Sequence, residues 1–230
     1  FTLPAPTRAG YSFTGWTGTG LSSATKSVTV VKGSTGNRSY TANWSLNTYT
    51  ISYILNGGSI SGQKTSYDVT TEAFALPTPS RNGYTFTGWT GTGLSSATKS
   101  VTVAKGSTGN RSYTANWSAN GYTVSFNYNK PTTDGTIGNS GTTSKAVTFD
   151  STYGTLPAPT LNGYAFAGWY TAATNGTKVS DTTKYTTAGN STLYAHWNMN
   201  TYSIGYNLNG GSISGQPTSY NVNTATFTLP

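Results

Sequence analysis

Nearly the same stretch of sequence returns along this 230-residue chain at steps of 73 and 80 residues, which restricts the fold to a row of small units. Leu-Pro begins at Leu3, Leu76, Leu156 and Leu229. The tryptophans Trp16, Trp89 and Trp169 keep the 73- and 80-residue steps, and so do Trp44, Trp117 and Trp197. Residues 9–45 and 82–118 differ at three of 37 positions, and residues 48–67 and 201–220 at four of 20. The extra residues of the longer unit fall before its Leu-Pro, so the second half of the unit is fixed in length and the first half tolerates an insertion. The expected organisation is the back part of a repeat at 1–45, complete repeats at 46–118 and 119–198, and the front part of a repeat at 199–230. Residues 199–226 and 1–45 together amount to one 73-residue period. Two arrangements are expected from this: a window on a longer array, or half-repeats that complete one another between chains.

Alternation sets the strands within a unit. Tyr49, Ile51, Tyr53 and Leu55 fall on one face of an extended segment, and Asn56-Gly57-Gly58 supplies the positive-φ residues of a turn. Residues 67–70 read as a second, weaker strand. Pro77 and Pro79 make 76–79 an extended connector. Residues 84–87 resume the alternation. Residues 100–103 and 112–117 read as a β-hairpin around a long polar loop, and 93–99 has room for one helical turn. The class is mainly β, a tandem array of small sheet domains, with an α+β arrangement as the alternative. So small a unit buries only about 60% of its chain surface, and aromatic residues suit that limit because each buries roughly 150–250 Å². The expected core is Trp16, Trp44, Trp89, Trp117, Trp169, Trp197, Tyr53, Phe86 and Tyr113.

The chemistry available is narrow. With no cysteine, one histidine and five acids, the chain has no thiol and little to offer a metal or an acid–base pair. Asp68, Glu72, Asp134, Asp150 and Asp181 do not recur in phase. No carboxylate pair, calcium loop or recurrent acid for a Lys–Asn crosslink is therefore expected. His196 stands where the other copies have Asn43 and Asn116, which points to a surface or strand-edge role. Gly18-Thr19-Gly20 and Gly91-Thr92-Gly93 lack the helix that a phosphate loop needs. No catalytic, cofactor or metal site is expected, and no apolar run reaches the roughly 20 residues of a membrane span.

The formal charge of +8 comes from 13 basic residues. Lys32, Arg38, Lys105 and Arg111 recur at the long polar loop, as solubility charges or as weak contacts to an anionic polymer or glycan. Scattered cations without a motif do not suggest nucleic acid.

The series Tyr49-Thr50-Ile51-Ser52-Tyr53, Asn56-Gly57-Gly58, residues 83–89 and residues 113–117 resembles the Listeria–Bacteroides repeat, the module of internalin B-repeats. The second complete unit matches through 163–170 and 193–197, and departs at Asn129-Lys130-Pro131 where the family has Asn-Gly-Gly. The resemblance implies a β-grasp-like fold and a secreted, non-catalytic role in bacterial surface proteins. The expected function is an extracellular stalk or filament whose partners are neighbouring repeats of the same or an adjacent chain. The alternative is an adhesin or carbohydrate-binding module using exposed aromatics.

Overall fold

The computed structural model describes residues 1–131 and 135–229. The chain divides into two compact units, 1–118 and 119–230. The fold is mainly β, and the described residues contain no helix; the α+β alternative is not what these residues adopt.

In the first unit, β1 (Tyr11–Gly18) and β2 (Tyr40–Leu46) form an antiparallel pair with a bulge between Phe13 and Gly15. Only glycine fits at that bulge: with φ 145°, a Cβ on Gly15 would lie 2.8 Å from the Thr25 nitrogen. The chain continues through β3 (Tyr49–Ile54), β4 (Ser66–Tyr67), β5 (Phe74–Ala75), β6 (Tyr84–Gly91), β7 (Thr102–Val103) and β8 (Arg111–Ala119). The main sheet has the order β4-β3-β8-β6, with β3 and β8 parallel and in register from Ile51↔Arg111 to Ile54↔Thr114.

Three local expectations need correcting. Residues 100–103 and 112–117 do not form a hairpin, because β7 pairs with β5 while both edges of β8 are taken by β3 and β6. The weak strand at 67–70 stops at Tyr67, where Asp68 caps a turn by accepting bonds from the Thr70 and Thr71 amides. The stretch 93–99 forms no helical turn, since Thr98 is drawn into a backbone bridge with Trp89 at 2.8 and 2.9 Å.

The second unit is built on the same plan from β9 (Gly121–Asn127), β10 (Ser144–Thr148), β11 (Tyr164–Tyr170), β12 (Lys178–Val179) and β13 (Ser191–Met199). Their order is β10-β9-β13-β11-β12, again with the two central strands parallel. It ends in the antiparallel pair β14 (Thr201–Ser203) and β15 (Ser219–Asn221).

Each complete repeat closes its own core. In the first, Ile51, Tyr67, Leu76, Phe86, Trp89, Val101, Val103, Tyr113 and Ala115 are buried together. The second buries Val124, Phe126, Val147, Tyr153, Trp169, Val179, Tyr185, Leu193 and Ala195. One aromatic triad recurs in all three back halves. Phe13, Phe86 and Phe166 each present an edge to two tryptophans at centroid distances of 5.4–5.6 Å. Such edge-to-face packing contributes about 0.5–1.5 kcal/mol per pair beyond burial. The closing tryptophan then ties the halves together: the Trp117 Nε1–H donates to Leu55 O and that of Trp197 to Tyr128 O, both at 2.9 Å.

Candidate functional site

The expected core residues are not equally enclosed. Trp89 is 0% exposed, Trp169 2% and Tyr113 1%, and Phe86 is buried, whereas Trp16, Trp44, Trp117, Trp197 and Tyr53 are half-buried. Trp89 and Trp169 therefore have no free ring face for a sugar. The hydroxyl of Tyr53 is held at Lys64 O, and burial raises its pKa, helped by the neighbouring Tyr113.

The basic residues do not act alike. Lys32 and Arg38 are exposed. Lys105 pairs with Glu72 at 2.5 Å, and both side chains are largely in solvent, where such a pair contributes little. Arg111 turns inward, its Nε donating to Tyr67 Oη at 2.8 Å and its Nη1 reaching Tyr113 Oη at 3.4 Å. Partial burial works against its charge, but the bonds to Tyr113 and Tyr67 outweigh it and raise the pKa. Arg111 is thus a strut between two core tyrosines rather than a surface contact.

The turn at Asn129-Lys130-Pro131 keeps the part of the motif that matters. Asn129 holds φ 44° as Asn56 holds φ 49°. Its Nδ2 donates to Ala195 O at 3.1 Å, just as Asn56 donates to Ala115 O at 3.0 Å. Of the acids, Asp134 lies outside the described residues. Among the described residues no three His, Asp or Glu side chains gather around a point where a metal could sit, and no helix is long and apolar enough to cross a membrane.

His196 keeps the expected surface role, half-buried at an open cleft, but on an inner strand rather than at a sheet edge. There β11 pairs with β13 at His196, while the β9 pairing on the other side ends at Tyr194. In the first complete repeat the equivalent Asn116 spends its amide on Gly88 O, Thr90 Oγ1 and Thr114 O at 3.0–3.2 Å. Asn43 makes the same three bonds, to Gly15 O, Thr17 Oγ1 and Thr41 O. His196 instead stacks on Tyr170 with centroids 3.9 Å apart and planes at 8°, and its Nε2 lies 3.0 Å from Ala172 O. These two rings, with Asn129, Asn175 and Asn198, line an open cleft of about 460 Å³. The sequence carried a signal for it: Thr90 and Asn116 are replaced together, by Tyr170 and His196.

Comparison with known proteins adds family and relatives. The Listeria-Bacteroides repeat domain matches residues 49–114 and 122–196, and the divergent InlB B-repeat domain matches 1–48. A protein of Evansella cellulosilytica, provisionally named a Gly-rich membrane protein, is 31% identical over 215 residues, covering 88% of this chain and 22% of that protein. Internalin H of Listeria monocytogenes is 35% identical over 143 residues, covering 61% of this chain and 24% of the internalin. The chain spans less than a quarter of the length of these relatives.

Proposed function

The chain belongs to the Listeria–Bacteroides repeat family, and on that premise we propose that it is a non-catalytic, extracellular tandem-repeat segment serving as a stalk or filament of a bacterial surface protein. One observation carries the reading: the two complete repeats hold separate cores, each closed within its own 70 to 80 residues. A device of this kind gains reach by adding copies, and the copies need no distinct sites. The names of the relatives, an internalin and a membrane protein, support a place at the cell surface. Neighbouring repeats are the partners this reading requires.

Pulling the full chain between handles in a force spectrometer tests it. Each complete repeat should yield in a discrete event, releasing roughly 250–280 Å of contour at about 3.5 Å per residue. Smooth extension, or one event for the entire chain, would overturn the reading.

The Tyr170–His196 cleft favours a second reading, carbohydrate binding, since stacked ring edges beside amide side chains suit a sugar. Glycan-array binding abolished by Tyr170→Ala and kept by Thr90→Ala would establish it. An array without signal would dismiss it.

A further inference from the structure

Inside each compact unit, a glycine of one repeat meets a valine of the next. Gly10 is buried, has φ 79°, and faces Val69 so closely that a Cβ on it would lie 2.1 Å from Val69 Cγ1. In the second unit Gly163, also at φ 79°, faces Val222, and its Cβ would lie 2.6 Å from Val222 Cβ. Both pairs are 59 residues apart in sequence. Real Cβ atoms do not approach other carbons this closely, so both the left-handed backbone and the contact demand glycine.

Each glycine is also tied to the linker that follows its repeat. Gly10 O accepts the Asn47 N–H at 2.9 Å, and Gly163 O accepts the Asn200 N–H at 2.8 Å, again at one common separation of 37 residues. Ser12 Oγ donates to Asn47 Oδ1 at 2.6 Å. The valines are presented by capped turns of one kind. Asp68 Oδ1 accepts the Thr70 and Thr71 amides, and Asn221 Oδ1 accepts the Asn223 amide at 2.9 Å while the Asn221 N–H donates to Thr224 Oγ1.

We propose that the glycine turn is a socket and the valine turn a plug, forming a docking joint that fixes each repeat of a unit on its successor in the chain. The occupant of the socket is the valine-bearing turn of the following repeat. A tether of two residues, Asn47 and Thr48, between β2 and β3 would alone permit the relative motion usual between domains with small interfaces. The glycine–valine contact and the linker amide bond remove it. This deepens the stalk reading and rests on it only for its purpose, because a joint of this kind can equally serve a rigid display arm.

The absence of cysteine makes the test direct. Spin labels on Thr14→Cys and Thr87→Cys, exposed equivalents in adjacent repeats, report the distance distribution across the first joint of the full chain. A narrow distribution is expected, broadening by about twofold or more when Val69→Asp leaves the repeats connected by the tether alone. Val69 lies outside the buried core, and unchanged tryptophan fluorescence would show that both repeats remain folded. Val69→Ala keeps the capped turn and should broaden the distribution less. Val222→Asp, at the other joint, should leave it unaltered. A broad distribution in the parent chain, or a narrow one in Val69→Asp, would overturn the joint. A narrow distribution without stepwise unfolding under force would instead leave the joint standing and remove the stalk.

Discussion

The two complete repeats make the same bond with tyrosines from different parts of the chain. In residues 46–118, Tyr67 lies in the front half, buried against Tyr49, and its hydroxyl donates to Gly109 O. In residues 119–198 the corresponding carbonyl, Gly189 O, is met by the hydroxyl of Tyr185, which comes from the back half and packs against Tyr122 and Tyr153. The Arg111 that braces Tyr67 has its counterpart in Ser191, whose Oγ lies 3.2 Å from Tyr185 Oη. The fold therefore preserves a contact, a phenol hydroxyl closing the loop before the central strand, while the residue supplying it moves by about half a repeat.

The comparison breaks most easily at the tryptophan each core shares. Trp89→Ala or Trp169→Ala should cost about 3–5 kcal/mol, and only the repeat carrying the change should unfold. Hydrogen exchange resolved by repeat would check this, and loss of protection in both repeats would refute separate cores. Phenylalanine at the same sites sharpens the difference. Trp169 Nε1–H donates to Pro157 O at 2.7 Å, whereas the buried Trp89 Nε1–H has no partner among the described residues. Both replacements lose packing, but Trp169→Phe also leaves a carbonyl unmet. It should be the costlier of the two by about 0.5–1.5 kcal/mol.

A smaller effect separates the tyrosines. Tyr67→Phe removes the bond to Gly109 O and the main brace of the Arg111 guanidinium. Tyr185→Phe removes two bonds between neutral groups. Hydrogen bonds to charged groups contribute more than neutral ones, so Tyr67→Phe should destabilise its repeat by about 1–2 kcal/mol and Tyr185→Phe by about 1 kcal/mol. Equal losses in chemical denaturation would show that Arg111 finds other partners without cost.

What the sequence disclosed follows from distance along the chain. Alternation at 49–55 and the Asn56 turn are local, and β3 and the positive φ of Asn56 and Gly57 appear where the pattern places them. Pairing is not local. β3 meets β8 across some 60 residues, and β7 turns away from its sequence neighbour to pair with β5, which alternation alone does not encode. The cleft at Tyr170 and His196 was half legible. Two polar positions change together, but stacking depends on a bulge that sets Gly168 opposite His196. The move from Tyr67 to Tyr185 was hidden altogether, since aligning the repeats by position conceals a hydroxyl arriving from another segment.

The finest difference lies in the turns that present the joint valines, one capped by a carboxylate and the other by an amide. The Asp68 carboxylate accepts bonds from the Thr70 hydroxyl and amide and from Thr71, which hold its pKa below the ordinary value of 3.8. A carboxyl depressed in the folded state contributes stability that is complete above its unfolded pKa and is lost as pH falls through the folded one. The turn around Val69 should therefore weaken only below about pH 4, whereas the Asn221 turn around Val222 has no proton to gain at its cap. Asp68→Asn should keep the turn, because Asn221 shows that an amide oxygen can accept the same kind of bond, and should abolish the acid dependence. Amide exchange at Thr70 and Thr71 followed through acid titration reads this directly. Protection lost equally in Asp68→Asn would assign the acid sensitivity to another group. Protection lost only with the carboxylate would mean that the two joints, alike in geometry, differ in the pH at which they loosen.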